Sequence, residues 1–271
     1  WDTLAKSQTG FGLHGENGVL ICRNCGKENQ PSYRYCQDCG ASLAAEVQRP
    51  LSAAVRGRLV LVRPDGSDGG SHPLQDGVNL LGRGSGPLFD ADSYLSPVHV
   101  RIEIGKGRNE GQFVVRDAGS LNGVFLKISE EELLPFGAIF RVGQELLRLD
   151  PVAPPQLQED GTEIMGSPNP SYWGRLALII GRSPDGTLQE GSCFPLLGDA
   201  VVLGRERGDI LFSEDGYVSG THARPSYRAG LVYLQDLASS NGTYLRIAGE
   251  RVVPAGTYLL LGQQLFRIQQ N

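Results

Sequence analysis

The sequence is short of the features that define several large classes of protein. Lys and Arg total 25 against 30 Asp and Glu, a formal charge of −5. No cationic excess is therefore available to hold a nucleic-acid backbone, and no nucleic-acid partner is expected. No apolar run reaches the roughly 18 residues of a membrane-crossing helix, so no membrane span is expected. The N-terminus has no basic, apolar and small-residue leader, so nothing marks the chain for secretion and the expected compartment is the cytoplasm. The chain opens on Trp1 instead of Met, which reads as a trimmed start. Long helical periodicities are missing too. With 37 Gly and 16 Pro among 271 residues, short apolar stretches are punctuated throughout, which excludes a coiled coil, a helix bundle and a helical channel.

What remains is a turn-rich, all-β chain with room for about two domains and something small. Composition divides it into a flexible lead-in (1–18), a segment holding four of the five Cys (19–44) and a short linker (45–55). A first domain-sized stretch (56–151), a Pro-rich linker (152–171) and a second stretch (172–271) follow. The Pro-rich linker is expected to be extended and semi-rigid.

The two long stretches repeat one another. From Asp117 and Asp236 onward they align without a gap at a constant offset of 119, with Ser120/Ser239, Asn122/Asn241, Gly123/Gly242, Gly143/Gly262 and Gln144/Gln263 coincident. Upstream, Gly82-Arg83 matches Gly204-Arg205, and Ser-x-x-His recurs at Ser96–His99 and Ser219–His222. The His-to-Asp interval is 18 residues in the first copy and 14 in the second. The difference falls within GKGRNEG, read as a longer hairpin tip. Runs such as RLVLV, QFVVRD, RLALII and LVYLQD alternate β-branched or aromatic residues with polar ones and close on Gly, Asp, Asn or Pro. One sheet could not bury both apolar rows, so antiparallel sandwiches are expected.

Cys22-x-x-Cys25 and Cys36-x-x-Cys39, each followed by Gly, have the spacing of two metal-binding knuckles. Four thiolates complete a tetrahedral Zn²⁺ shell, and so small a segment needs the metal to fold. Two disulfides or an iron site are the alternatives at this stage. His14 is not needed as a ligand. The segment's small positive charge (Arg23, Lys27 and Arg34 against Glu28 and Asp38) favours a protein contact or a cap over a duplex grip. Cys193, between apolar neighbours in GSCFPLL, is expected to be a buried small hydrophobe.

The repeated polar motifs lie at strand ends, and therefore in loops at a rim. A forked cation, a small hydroxyl and an amide able to bond a peptide backbone suit a phosphate ester on an extended peptide. No carboxylate pair or activated nucleophile accompanies them, so recognition is expected and not catalysis. GRGSG (82–86) lacks the Lys-Ser/Thr pair and following helix of a nucleotide loop. Asn-Gly between strands is also a common hairpin turn, so Asn122 and Asn241 are expected to serve a turn as well.

On these motifs, LGRERGDILFSEDGYVSGTHARP followed by LQDLASSNGTYL, the second copy resembles the forkhead-associated (FHA) domains, β-sandwiches that bind phosphothreonine. The first copy, LGRGSGPLFDADSYLSPVHVRI followed by VRDAGSLNGVFL, resembles them less closely. Residues 19–44 resemble the short zinc ribbons of bacterial multidomain regulators. The resemblance implies a phosphate clamp at Arg205, a hydroxyl donor at Ser219 and a backbone N–H at Gly220. It also implies a further hydroxyl at Ser240 and a peptide-holding amide at Asn241. Gly204, His222, Asp236, Gly242 and Thr243 would be scaffold. In the first copy Arg83, Ser96 and Asn122 would play the ligand roles over Gly82, His99, Asp117 and Gly123. There Pro97 removes an N–H, Leu121 replaces the Ser240 hydroxyl and Val124 replaces Thr243. Losing one or two charge-assisted hydrogen bonds of about 1.5–3 kcal/mol weakens binding roughly tenfold to several-hundredfold, so the first copy is expected to be the weaker site. The resemblance implies an adaptor reading phosphothreonine on kinase substrates or on a kinase itself, in bacterial Ser/Thr-kinase signalling. The rival expectation is an assembly protein making phosphate-independent contacts, and oligomerisation is left open.

Overall fold

The computed structural model describes residues 20–22, 25–30, 33, 35–40, 55–105, 111–152, 157–162, 165 and 171–271. The lead-in, Arg23, Arg34 and nearly all of the linker before residue 55 lie outside the described residues. The chain separates into a unit at Trp1–Ala53 and a larger one at Ala54–Asn271. The described residues are all-β, with no helix able to cross a membrane.

In the small unit, β1 (Leu20–Ile21) and β2 (Glu28–Asn29) pair antiparallel. The first repeat supplies β3 (Val55–Val62), β4 (Asp68–Gln75), β5 (Val78–Leu81) and β6 (Val100–Ile104). It continues with β7 (Gln112–Asp117), β8 (Val124–Lys127), β9 (Glu132–Leu133), β10 (Ile139–Val142) and β11 (Glu145–Asp150). The second repeat supplies β12 (Gly174–Arg182), β13 (Leu188–Leu196), β14 (Leu203–Gly204), β15 (Ile210–Leu211) and β16 (Ala223–Arg228). Its remaining strands are β17 (Leu231–Asp236), β18 (Thr243–Arg246), β19 (Glu250–Pro254), β20 (Tyr258–Leu261) and β21 (Gln264–Gln270). The alternating pattern of the sequence is visible in the burial. In β7, Phe113 and Val115 are buried while their neighbours are not, and in β17 Val232 and Leu234 are. The opening hairpin of each repeat turns on Pro-Asp-Gly, where Asp65 and Asp185 accept the N–H two residues on, from Ser67 and Thr187, each at 2.9 Å.

The repeats do not close on themselves. β7 pairs with β19 and β17 with β9. Likewise β8 pairs with β20, β18 with β10, β3 with β21 and β12 with β11. The segment β9–β11 of the first repeat thus completes the sandwich begun by the second, and β19–β21 completes that begun by the first. One core takes Ile247, Val253, Leu259, Leu261, Phe266 and Ile268 from the second repeat. The other takes Ile128, Leu134, Phe140, Val142, Leu147 and Leu149 from the first. The chain crosses over at two points, between Leu126 and Ile128 and between Leu245 and Ile247. There β8 and β18 pair antiparallel, with Leu126 opposite Leu245, and fuse the two halves into one ten-stranded sheet. Five-stranded and four-stranded sheets complete the two cores.

Two contiguous sandwiches at 56–151 and 172–271 were the expectation. The exchange departs from it for a physical reason. The two C-terminal segments carry the same apolar pattern, so each can fill either groove. In the exchanged arrangement β8 pairs with β18, and Phe125, Ile139, Tyr244 and Leu260 are buried together at the seam. Two smaller expectations also change. Cys193 is exposed, on the outward face of the edge strand β13, with Sγ 3.8 Å from Arg175 Nη1. The Pro-rich linker contains a tight turn among its described residues, where Gln158 N–H meets Thr162 O at 3.0 Å.

Candidate functional site

The rim of the second repeat is assembled from three loops. Arg205 follows β14, and its N–H donates to Ser219 O (2.9 Å), while Arg207 N–H donates to Gly220 O (2.9 Å). This close approach needs Gly204: a Cβ there would stand 2.2 Å from Arg207 O and 2.3 Å from Gly220 O. His222 is fully buried, and its Nδ1 accepts the Ser219 N–H at 3.0 Å. The ring hydrogen therefore sits on Nε2, which donates to Gly242 O at 3.1 Å. Burial lowers the pKa of His222, against the opposing pull of the Gly242 carbonyl and Asp236. The ring is a neutral strut between two loops.

The turn after β17 is built on Asp236. Its carboxylate accepts Ser239 N–H (2.9 Å), Ser239 Oγ–H (2.7 Å) and Thr243 Oγ1–H (2.7 Å), and Gly242 N–H donates to Ser239 Oγ (2.9 Å). Ser240 and Asn241 stand exposed at the tip. Ser240 N–H donates to Ser219 Oγ (3.0 Å), which leaves the Ser219 hydroxyl hydrogen to point elsewhere. Asn241 Nδ2 donates to Tyr217 O (2.8 Å). The Arg205 guanidinium meets Gly216 O at 3.5 Å and the Glu206 carboxylate at 2.8 Å. Arg205, Ser219, Gly220, Ser240 and Asn241 are thus linked at one rim.

Sequence reading missed four residues here. Ser239 is a pillar of the turn. Asp215 is buried and fixes the loop by accepting Tyr217 N–H (2.8 Å). Glu206 is paired with Arg205, and Arg207 carries a second guanidinium whose Nη2 lies 3.6 Å from where a Gly220 Cβ would stand. Ser239 and Asp215 were detectable, because Ser120 and the Asp-x-Tyr-x-Ser of Asp92–Ser96 repeat them. Glu206 and Arg207 have no charged counterpart in the first copy, where Gly84 follows Arg83.

The first repeat keeps the frame. Arg83 N–H donates to Ser96 O (3.0 Å), and His99, buried and lowered in pKa mainly by that burial, links Ser96 N–H (3.1 Å) to Gly123 O (3.0 Å). Leu121 N–H donates to Ser96 Oγ (3.0 Å) and Asn122 Nδ2 to Tyr94 O (2.8 Å). A Cβ on Gly82 would meet Pro97 O at 2.4 Å. Asp117 accepts Ser120 N–H (2.7 Å), but with Val124 in place of a threonine it faces Arg246 of the second repeat instead (3.6 Å). Leu121 is an exposed apolar tip.

In the ribbon, Cys22, Cys25, Cys36 and Cys39 bring their sulfurs within 4.8 Å of one another. Cys22 lies 3.5 Å from Cys39 and Cys25 lies 3.6 Å from Cys36. None of the four is in a disulfide, and the spacings suit the edge of a tetrahedron with metal–sulfur bonds of about 2.3 Å. Gly26 and Gly40 donate their N–H groups back to Cys22 O and Cys36 O (2.8 and 3.0 Å), closing the two knuckles. The Cys36 thiol is drawn down to about 6 by the backbone N–H groups of Cys39 and Asp38, the Cys25 thiol and the Asn29 amide. The cluster can hold a metal ion.

Antiparallel sandwiches with Gly-Arg, Ser-x-x-His and Ser-x-Asn-Gly at one rim define the FHA class, and the family model for the FHA domain matches residues 79–143 and 201–266. The chain carries two FHA domains in tandem behind a four-cysteine ribbon, and the ribbon matches a domain of unknown function, DUF7577, at residues 18–44. It is 34% identical over 82 residues to the FHA domain-containing protein FhaB of Mycobacterium tuberculosis, covering 29% of this chain and 53% of FhaB. It is 33% identical over 82 residues to FhaB of Mycolicibacterium smegmatis, with the same coverage. The chain spans about half the length of these curated relatives. Among solved structures, the FHA domain of the CT664 protein of Chlamydia trachomatis is 27% identical, over 30% of this chain and 87% of that one, at a TM-score of 0.19. Mycobacterium tuberculosis EmbR, in complex with a low-affinity phosphopeptide, is 23% identical over 32% of this chain and 26% of that one, also at 0.19.

Proposed function

We propose that the chain is a phosphothreonine-reading adaptor in bacterial Ser/Thr-kinase signalling, with the second repeat as its principal site. The observation that carries this reading is the Ser219 hydroxyl. Its oxygen is engaged by Ser240 N–H and its hydrogen remains available, on a residue whose carbonyl accepts the backbone N–H of Arg205. A dianionic ester would take the fork of Arg205 in place of Glu206, together with the Ser219 hydroxyl, the Gly220 N–H and the Ser240 hydroxyl. Arg207 adds charge from the same side. Asn241 would hold the ligand main chain. No residue in this set is arranged to cleave a bond. In the ribbon the four cysteines would hold Zn²⁺ as a structural ion.

The first repeat favours a second role, contact without phosphate, because Pro97, Leu121 and Val124 remove a donor N–H, a donor hydroxyl and a turn-stabilising hydroxyl. Calorimetry with phosphothreonine peptides and their unphosphorylated twins tests the main reading. Wild type is expected to bind only the phosphorylated peptides, and Arg205→Ala to lose roughly tenfold or more, the value of one charge-assisted pair. Equal binding of both peptides by wild type refutes it.

A further inference from the structure

The loop that carries the second repeat's ligand-facing groups is held by the first repeat. Asp215 accepts not only Tyr217 N–H but also Gln144 N–H, at 2.6 Å, from the turn joining β10 to β11. Gly143 in that turn, at φ 59°, packs so closely that a Cβ would stand 2.5 Å from Asp215 Oδ2, 2.6 Å from Val218 Cγ2 and 3.0 Å from Val218 N. Arg141 Nε donates to Gly143 O (2.7 Å) and stiffens the turn. From the loop so held, Gly216 O faces Arg205, Tyr217 O holds Asn241, and Ser219 follows. The arrangement is reciprocal. Gln263 N–H donates to Asp92 (2.8 Å), Asp92 accepts Tyr94 N–H (2.9 Å), and a Cβ on Gly262 would meet Asp92 Oδ2 at 2.5 Å. Leu260 stands where the first repeat has Arg141, so the turn serving the second site carries the extra brace.

We propose that the first repeat is a positioning partner of the second repeat's phosphopeptide site. Through Gly143 and Gln144 its β10–β11 turn sets the Asp215–Ser219 loop, and hence Ser219, Asn241 and the carbonyl that orients Arg205. This rests on the phosphopeptide reading of that site. It also gives the first repeat a task that does not need the donors lost at Pro97 and Leu121.

The test compares two matched substitutions in the full chain. Gly143→Ala, in the first repeat, is expected to weaken phosphothreonine-peptide binding at the second site at least fivefold. Gly262→Ala, which puts the same clash against Asp92, is expected to leave that affinity within twofold of wild type while costing similar thermal stability. The opposite pattern, or equal effects from both, overturns the proposal. Should either variant fail to fold, cysteine pairs in the monomeric full chain decide it. Leu133→Cys/Tyr233→Cys, opposite one another in β9 and β17, is expected to join on oxidation, and Leu133→Cys/Val114→Cys, the pairing of a self-contained first repeat, is not. Crosslinking only of the latter overturns the proposal. The crosslink is read without phosphate, so a wild-type chain that ignores phosphorylation would refute the phosphopeptide reading alone.

Discussion

At the scale of single residues, the Arg205 guanidinium is paired with the carboxylate of its own neighbour. Glu206 meets the fork proposed to take the phosphate, and the guanidinium beside it holds its carboxyl below the usual range. An exposed pair of this kind contributes little to stability, but it would compete with an anionic ligand and repel a dianion. Glu206→Gln is therefore expected to tighten phosphopeptide binding by up to about fivefold in a titration at low salt, with the gain shrinking as salt rises. The two buried histidines set a pH limit. Both are depressed in the fold, so below the ordinary histidine value of about 6.5 the unfolded chain takes up protons that the folded one refuses. Stability is then unaffected above that value and falls as pH drops below it, by up to roughly 1.4 kcal/mol per pH unit for each ring until the folded pKa is reached. Urea midpoints at pH 7.5 and 5.5 should show the fall, and a flat profile would contradict the neutral-strut assignment. His99 and His222 were legible in the sequence, since Ser-x-x-His fixes a partner three residues back. Glu206 and Arg207 were not, because nothing local says that they return over Gly220.

At the scale of elements, the knuckles and turns were the most readable parts. Cys-x-x-Cys-Gly closes the same way twice, and Asp-x-x-Ser-x-Asn-Gly builds the same turn twice, because each needs only contacts within a few residues. Cys193 shows the limit. Apolar neighbours predicted burial, but an edge strand turns one face to solvent, and alternation alone does not say which. Among the described residues of the ribbon, two two-residue strands are all the regular structure there is, so its order should depend on the metal. The full chain is expected to carry one zinc ion by elemental analysis, and chelation or Cys36→Ser should expose residues 19–44 to protease while leaving 55–271 resistant. Unchanged protection of the ribbon after complete metal removal would show that the metal is not needed.

At the scale of the whole molecule, each sandwich buries six large apolar side chains contributed by the other repeat. At about 1.5–3 kcal/mol each, an upper estimate, this is roughly 9–18 kcal/mol, comparable to the net stability of an entire domain. Neither exchanged segment can leave while the sandwiches persist, so the two FHA domains should unfold in one transition. Ion pairs between repeats, such as Arg116–Glu250 at 2.7 Å and Arg251–Glu132 at 2.5 Å, line the same seams. A protease site introduced within the linker 152–171 gives a direct check. After cleavage the two fragments are expected to co-elute in native buffer and to part only in denaturant. Separation into two folded fragments in buffer would exclude the exchange.

The sequence by itself determined the all-β class, the doubled motif frame, the four-cysteine knuckles and the different polar residues of the two rims, because these follow from periodicity and from residue types at short spacing. Only the tertiary structure decided which repeat closes which sandwich, and so whose turn supports whose loop. Two copies with one apolar pattern offer equivalent grooves to equivalent strands. The choice is therefore made by long-range pairing, which spacing and periodicity along the chain do not encode, and the seam it leaves buries Phe125, Ile139, Tyr244 and Leu260 together where β8 meets β18.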